Sequence, residues 1–498
     1  MCFKSCTIIF LLQLLIAAQP VRSFSQTQTL LHNTDPVQIT LAAPELITQQ
    51  ATKQKQIDSL LHISYFDSTI CGISVYDLTS DNSLFRKQDK LLLHPASNLK
   101  LLTGITALLF LDSTACFRTK LAYAGKIEHN VLKGSLVITG GADPAFSNGD
   151  IDSLVQKTAA LGIKEINGDL IGDLSFLDSL RWGNGWMWDD DPSPDVPYLS
   201  ALCLNKNTIT VSLKCFPDSD KFIFSTIPES HYFTFENKLL PGKKKHWNVA
   251  VSRGFANGTN CIRYQGTKGL VDTTITTTLS IYDPARFFLF FLKKRLKARN
   301  ITVTGKMLLH PVTESTHLIA EINRSIQPVI NEMNKNSDNL DAEMILRLTG
   351  SKTKAKNLSA DDGLHYVDSL IVKSGFDPSN YRIVDGSGIS HYNLVSPELL
   401  CGVLTYIYKS QPDIYTKLIS TLPISGEDGT LRNRMKNTIV GNKVIAKTGT
   451  LSGVSCLSGY VQSMDSHTYA FSILLQNFTE GIGRAREIQD EICRILAE

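Results

Sequence analysis

A serine and a lysine stand three residues apart at the start of a long apolar run. Ser97 and Lys100 form an S-x-x-K motif, and the apolar stretch at 101–111 predicts a helix. Because side chains three apart on a helix share one face, the lysine amine can reach the serine hydroxyl. A desolvated lysine can remove the hydroxyl proton and make the serine nucleophilic. The pair predicts covalent acyl chemistry, with Ser97 as nucleophile and Lys100 as base.

Two further motifs make the first one informative. Taken alone, Ser97 is more simply explained as a helix N-cap followed by an ordinary lysine. An S-D-N triplet at 337–339 lies between two predicted helices, and a K-T-G triplet at 447–449 ends a predicted strand. Motifs of these three types in this order form a recognised catalytic set.

Each motif also has a second copy in the chain. The copies lie at 80–82, 351–354 and 373–375. The first is in a predicted hairpin turn, the second follows a helix, and the third ends a helix where glycine is common. Only one choice of copies has both the catalytic order and the matching local structure.

The later motifs supply what acyl transfer needs besides the nucleophile and the base. Ser337 could relay the proton to the leaving amine, and Asn339 could hold the substrate amide. Lys447 would raise the positive potential where a substrate carboxylate docks, and Thr448 could offer that carboxylate a hydroxyl. The backbone N–H groups of the nucleophile and of Thr450 could form an oxyanion hole. No metal or cofactor is predicted.

These side chains are brought together by elements far apart in the chain. Residues 24–59 are a polar tail leading into a helix. Residues 60–116 and 315–498 share a mixed α/β texture and are predicted to form one discontinuous domain. Residues 117–314 form an insertion, long enough for two small domains, with a β-rich inner part at about 203–272.

Composition describes a globular protein of two or three domains. The 498 residues are 43% hydrophobic and 19% charged, and the net charge is +3. This charge is too small to indicate nucleic-acid binding. The short basic run at 243–245 is predicted to be a solvated loop.

The first 23 residues resemble an export signal. Lys4 precedes an apolar core at 6–18, which is too short to span a bilayer comfortably, and cleavage after Ser23 is plausible. An uncleaved anchor is the competing interpretation. We therefore predict an exported, periplasmic protein.

Cysteine spacing indicates neither a C-x-x-C pair nor a zinc site. Ten cysteines are present, and two of them lie in the signal. In an exported protein some of the others could pair, with Cys203, Cys215 and Cys261 as the nearest group.

Six segments resemble the low-molecular-mass class C penicillin-binding proteins, which are the D-alanyl-D-alanine carboxypeptidase/endopeptidases of peptidase family S13. The spacing supports this family over simple β-lactamases, because 240 positions separate Ser97 and Ser337. The segments carrying the resemblance are 95–100, 140–144, 185–190, 335–339, 385–390 and 446–450.

The resemblance implies an α/β (α+β) fold of the transpeptidase/β-lactamase type. Its antiparallel sheet would carry helices on both faces and be split by β-rich inserted domains. The implied reaction hydrolyses D-Ala-D-Ala termini, and cross-links, of peptidoglycan stem peptides through an acyl-enzyme that β-lactam antibiotics also form. Asp190 matches the acidic residue that binds the free amino group of diaminopimelate, with Asp189 and Asp191 as alternatives. The glycine-rich segment 385–390 is assigned no catalytic role.

Two other functions stay open at this stage. A β-lactamase or esterase could use the same fold, although the large insertion disfavours it. A non-catalytic wall-binding protein could keep the fold, although intact Ser97, Lys100 and Lys447 argue against it. Association with the membrane surface or the wall is also left open.

Overall fold

The computed structural model describes residues 44–216, 222–253 and 258–498. The predicted export signal and the first part of the polar tail lie outside the described residues. The chain divides into a first unit, residues 1–48, and a second unit, residues 49–498. Of the first unit, only the start of one helix is described. No helix among the described residues is both long enough and apolar enough to cross a membrane.

Ten α-helices occur in the described residues. Five of them begin at a serine or aspartate whose side chain accepts a hydrogen bond from the first turn, as N-cap residues do. The helices are α1 (Pro44–Leu60), α2 (Leu99–Phe110), α3 (Asn148–Ala160), α4 (Pro284–Ala298), α5 (Ile326–Lys335), α6 (Asn339–Gly350), α7 (Ala360–Lys373), α8 (Pro397–Ser410), α9 (Pro412–Ile419) and α10 (Gly483–Ala497).

The strands of the described residues form four sheets. They are β1 (Ile70–Asp77), β2 (Asn82–Lys87), β3 (Cys116–Glu128), β4 (Val131–Thr139), β5 (Glu165–Asn167), β6 (Leu170–Asp173), β7 (Thr208–Cys215), β8 (Phe222–Ile227), β9 (Thr234–Leu240), β10 (Asn248–Arg253), β11 (Cys261–Thr267), β12 (Thr273–Ser280), β13 (Thr302–Val303), β14 (Met307–Leu309), β15 (His317–Ser325), β16 (Val444–Leu451), β17 (Val454–Gln462) and β18 (Thr468–Gln476).

An antiparallel sheet of five strands, in the order β16-β17-β18-β1-β2, joins the two ends of the second unit. Successive side chains of a strand point to opposite faces. In β18, Leu474 packs into the core that contains α2, α6 and α8, whereas Ile473 and Leu475 pack into the core that contains α10. The sheet is therefore covered by helices on both faces, and the predicted fold class is confirmed.

The middle of the chain builds the other three sheets. One has seven strands and contains the path β13-β5-β4-β3-β15, and two have three strands each, in the orders β10-β11-β9 and β12-β7-β8. The predicted division into domains, with the second part starting at 315, stays a prediction. The pairing of β15 with β3 over 317–325 favours a later return to the first core, at the start of α5.

Two glycines allow the chain to close tightly around the turn that carries Ser97. A Cβ atom on Gly449 of β16 would lie 2.8 Å from the Pro95 carbonyl oxygen. A Cβ atom on Gly388 would lie 1.9 Å from the Ala96 carbonyl oxygen, and Gly388 has a φ of +84°. Only glycine tolerates both the contact and the left-handed backbone at position 388.

The eight cysteines among the described residues are free thiols. Cys203, Cys215 and Cys261, which were expected to be the nearest group for pairing, form no disulfide. Burial raises the pKa of Cys203 to about 12, so this thiol stays protonated at neutral pH.

We predict that Gly388→Ala destabilises the protein far more than Gly375→Ala. Both glycines have nearly the same φ, +84° and +88°, but no atom lies within 4 Å of the Cβ position at Gly375. Gly375→Ala should cost about 1–2 kcal/mol of backbone strain. Gly388→Ala should cost about 1–3 kcal/mol more, because the methyl group overlaps the turn before Ser97. Denaturant unfolding of both variants measures the difference, and equal losses would contradict the close contact.

Candidate active site

Ser97 lies in a short 3-10 turn, Ala96–Asn98, directly before α2. Ala96 has a left-handed backbone with a φ of +46°. The buried Asn98 side chain donates a 2.6 Å hydrogen bond to Ser458 Oγ on β17, which ties the turn to the five-stranded sheet. The turn therefore places the Ser97 side chain at a fixed position where α2 meets the sheet.

Three oxygen atoms surround the amine of Lys100. Its Nζ lies 2.9 Å from Ser97 Oγ, 2.5 Å from Asn339 Oδ1 and 2.7 Å from the Ser387 carbonyl oxygen. The amide and carbonyl oxygens can only accept, so each takes an N–H of the amine. A neutral amine has two N–H groups and one lone pair, so with both N–H groups used the lone pair of Lys100 points at Ser97 Oγ. The geometry suits a lysine that accepts the serine proton.

The surroundings also make the Lys100 amine a usable base near neutral pH. The side chain is fully buried. Burial lowers the pKa of Lys100 to about 8, while the carboxylates of Asp385, Asp338, Glu343 and Asp341 act in the opposite direction. A substantial neutral fraction is therefore present close to pH 8.

The segment 385–390 takes a part that the sequence analysis did not assign to it. Asp385 accepts hydrogen bonds from the backbone N–H groups of Gly388 and Ser390 and from the Trp186 indole N–H, at 2.8, 2.8 and 3.0 Å. Glu343 Oε1 accepts the backbone N–H groups of residues 386 and 387, at 2.9 Å each. These two buried carboxylates hold the loop that presents the Ser387 carbonyl to Lys100. The available sequence signal was Glu343 itself, a charged residue between the apolar neighbours Ala342 and Met344 of helix α6.

The second and third motifs meet at Lys447. Its Nζ donates to Ser337 Oγ and to the Thr448 carbonyl oxygen, both at 2.9 Å. Ser337 has a left-handed backbone, with a φ of +63°, just before α6 begins. Burial lowers the pKa of Lys447 well below its usual value, and the nearby Lys100 lowers it further. Lys447 is completely buried, so it acts on the cleft through Ser337 and the strand rather than by direct exposure.

The predicted side chains converge on one cleft of about 320 Å³. Lys100 and Lys447 lie beneath its surface. Among the residues that line it, Asn339 Nδ2 donates to the Asp195 carbonyl oxygen at 2.6 Å, and Thr448 Oγ1 donates to Thr430 Oγ1 at 2.8 Å. The predicted residues lining the cleft are Ser97, Asp190, Ser337, Asn339, Thr448 and Thr450.

The structure distinguishes the three acidic residues at 189–191. Asp190 lines the cleft, and its carboxylate accepts the Met187 backbone N–H at 2.9 Å. Asp191 is buried and forms an ion pair with Arg253. Asp189 is exposed and is not among the lining residues. Of the three, Asp190 is the one that lines the cleft.

A lysine of the insertion reaches the S-D-N motif, which sequence reasoning missed. Lys206 lies at the centre of three consecutive left-handed residues, 205–207. Its Nζ lies 3.3 Å from Asp338 Oδ2 and also pairs with the buried Asp341. Burial and the Asp338 carboxylate raise the pKa of Asp341 to about 8. Lys206 thus contacts two acidic side chains at the start of α6, next to Asn339.

No three His, Cys, Asp or Glu side chains of the described ranges converge as metal ligands would.

Comparison with known proteins defines the class. The model of the D-Ala-D-Ala carboxypeptidase 3 (S13) family matches residues 53–498. The D-alanyl-D-alanine carboxypeptidase of Actinomadura sp. (strain R39) is 28% identical over 486 residues, which cover 93% of this chain and 88% of that protein. The D-alanyl-D-alanine carboxypeptidase DacB of Haemophilus influenzae is 27% identical, covering 78% of this chain and 81% of that protein.

Solved structures agree on the fold. The crystal structure of penicillin binding protein 4 (dacB) from H. influenzae matches with a TM-score of 0.79 at 23% identity, covering 89% of this chain and 99% of that one. The structure of the same protein complexed with a β-lactam matches with a TM-score of 0.74. The chain belongs to the D-Ala-D-Ala carboxypeptidase 3 (S13) family. The predicted family and enzyme class, a serine-type carboxypeptidase, are thereby confirmed.

We predict that the rate of acylation by a β-lactam rises with pH and has a midpoint near pH 8. The pKa of Lys100 is about 8, and only the neutral amine can accept the Ser97 proton. Below the midpoint the rate should fall about tenfold per pH unit, since the neutral fraction of the amine falls by that factor. Stopped-flow acylation between pH 6 and 9 measures this, with circular dichroism confirming a folded protein throughout. A flat profile would exclude Lys100 as the base.

Proposed function

We propose that this protein is a serine D,D-peptidase that removes the terminal D-alanine from peptidoglycan stem peptides through an acyl-enzyme. The observation that carries the proposal is the 2.9 Å contact between Lys100 Nζ and Ser97 Oγ, in a cleft also lined by Ser337, Asn339 and Thr448. Family membership supports the same reaction.

In the acylation step, Ser97 Oγ attacks the carbonyl carbon of the scissile D-Ala-D-Ala bond while Lys100 takes its proton. The oxyanion that forms is placed to accept the backbone N–H groups of Ser97 and Thr450. The contact of Gly449 with the turn at Pro95 supports this arrangement, since it brings β16 against the nucleophile. The C–N bond then breaks, and the departing amine takes a proton through Ser337, whose hydroxyl receives a hydrogen bond from Lys447.

Deacylation consumes one water. Lys100, neutral again once the proton has left with D-alanine, removes a proton from water, which attacks the acyl carbon. The ester bond to Ser97 breaks as Lys100 returns its proton to Ser97 Oγ, and the shortened stem peptide leaves as a carboxylate, with the acid proton passing to solvent. Each turnover therefore splits one amide bond and releases one D-alanine.

Substrate binding uses the two sides of the cleft. We assign Asn339 to the substrate amide, Thr448 and Thr450 to the carboxylate of the terminal D-alanine, and Asp190 to the free amino group of the diaminopimelate side chain. The position of Asp190 in the cleft wall supports the last assignment.

The cellular setting belongs to the same proposal. Peptidoglycan lies outside the cytoplasmic membrane, so the substrate requires an exported enzyme, in agreement with the export signal predicted at 1–23. We assign the protein to the periplasm, with β-lactam antibiotics as inhibitors that acylate Ser97. We also propose that residues 60–116 and the C-terminal part form one catalytic domain around an insertion.

We predict that a fluorescent penicillin labels the wild type and that Ser97→Ala abolishes the label. Ser351→Ala is the matched control, because Ser351 belongs to the second S-x-x-K copy and lies outside the cleft. It should label as the wild type does. Gel fluorescence after denaturation measures the covalent product. Absence of label on the wild type, or equal label on Ser97→Ala, would remove the proposed reaction.

We predict that Asp190→Asn lowers kcat/KM about tenfold for a stem peptide with a free diaminopimelate amine and leaves the N-acetylated peptide nearly unchanged. The loss corresponds to about 1.4 kcal/mol, which is the range of a hydrogen bond to a charged group. Asp189→Asn is the control in the same acidic triplet and should keep wild-type values. Release of D-alanine measures both. Equal losses on the two peptides would contradict a role in amine recognition.

A further inference from the structure

The cleft needs a cation for an anionic ligand, and Lys447 is poorly placed to supply it. Its amine is completely buried, and its hydrogen bonds go to Ser337 and to the strand's own carbonyl group. Burial and Lys100 also lower its pKa, which reduces its positive charge. The cationic side chains that do line the cleft are Arg434 and Arg486.

Arg434 is fixed in place by the closing helix. Its guanidinium bonds Asp490 through Nε at 3.0 Å and Nη2 at 2.5 Å, and Nη2 also reaches Gln489 Oε1 at 3.1 Å and the Arg486 carbonyl oxygen at 3.2 Å. Its side chain is only 11% exposed. Arg434 therefore holds the first turns of α10 against the cleft.

Arg486 brings a second guanidinium to the same wall without a carboxylate of its own. Among the described residues, none forms an ion pair with it, while Asp490 is already paired with Arg434. Partial burial and the adjacent Arg434 lower the pKa of Arg486, as expected when two cations are brought together. Of these two guanidinium groups only that of Arg434 is paired with a carboxylate, so this wall keeps a positive charge that favours an anion.

The basic side chains share the cleft with the hydroxyl pair assigned to the leaving group. Thr430, which contacts Thr448, is four residues before Arg434, and both threonines line the cleft together with the two arginines. Asp190, which is assigned to the acyl portion, lines the same cleft. The short chain segment from Thr430 to Arg434 associates the guanidinium groups with the leaving group rather than with the acyl portion.

We propose that Arg434 and Arg486 form a subsite for a second carboxylate on the leaving group, beyond the α-carboxylate that Thr448 and Thr450 would take. The inference rests on the proposed D,D-peptidase function and deepens it. A free D-alanine has no second carboxylate. A leaving D-amino acid that continues into another stem peptide carries further carboxylates, so the subsite favours cross-linked peptides over terminal D-alanine.

Two peptides of equal size test the proposal. Diacetyl-L-Lys-D-Ala-D-Glu and diacetyl-L-Lys-D-Ala-D-Gln differ only at the end of the last side chain, which is a carboxylate in the first peptide and an amide in the second. The wild type should cleave the D-Glu peptide with a kcat/KM at least tenfold higher. Arg486→Gln should bring the ratio close to one by slowing the D-Glu peptide, with the D-Gln peptide changed less than twofold. Release of the free D-amino acid measures both rates.

Arg484→Gln is the matched control, because Arg484 lies on the same helix, pairs with Glu487 at 3.1 Å and does not line the cleft. It should keep the wild-type ratio. A wild-type ratio of kcat/KM near one for the two peptides would overturn the proposed subsite. An equal loss of kcat/KM on both peptides in Arg486→Gln would overturn it as well, because such a loss indicates a structural role or contact with the α-carboxylate. Wild-type protein that neither cleaves a peptide nor takes a penicillin label would instead refute the proposed function itself.

Discussion

The burial of one amine among three oxygen atoms is the constraint on which this structure depends. Removing a charged ammonium group from water costs several kcal/mol unless it is paired. Around Lys100 the direct contacts are a hydroxyl, an amide oxygen and a backbone carbonyl, and the carboxylates stand further back. The amine is held firmly while its charged form is disfavoured. In such an environment the lysine is still basic enough to accept the serine proton, and a useful fraction of it is neutral near pH 8.

Holding that amine requires contributions from distant parts of the chain. Helix α2 carries Lys100, the start of α6 carries Asn339, and the loop at 385–390 supplies the Ser387 carbonyl. Two buried carboxylates, Asp385 and Glu343, accept hydrogen bonds from the backbone N–H groups of that loop. They therefore fix the position of the Ser387 carbonyl oxygen, which accepts a hydrogen bond from Lys100. Substituting Asp385 or Glu343 would disturb Lys100 and Ser97 through this loop rather than through contact with a substrate.

Sequence reasoning found the parts of this arrangement that reside in side chains and in periodic patterns. The three motifs could be chosen from their copies because local structure differs at each copy. Strand β18 is buried on both faces, as its nearly continuous apolar run would predict. The Ser387 carbonyl was missed because every residue carries such an atom, so its use leaves no mark in the sequence. Asp190 could not be separated from its neighbours, because only the turn at 188–190 decides which carboxylate enters the cleft. The pairing of β15 with β3 joins segments about two hundred residues apart, which local patterns do not record.

The left-handed turn at 205–207 has a consequence for how this protein can change over time. It brings the Lys206 amine to Asp338 and Asp341, at the start of helix α6. Exchanging the segment that carries Lys206 for an unrelated one would therefore remove the amine that Asp338 and Asp341 contact. A chimaera with a relative would keep this contact only if the lysine and its two acidic partners came from the same parent.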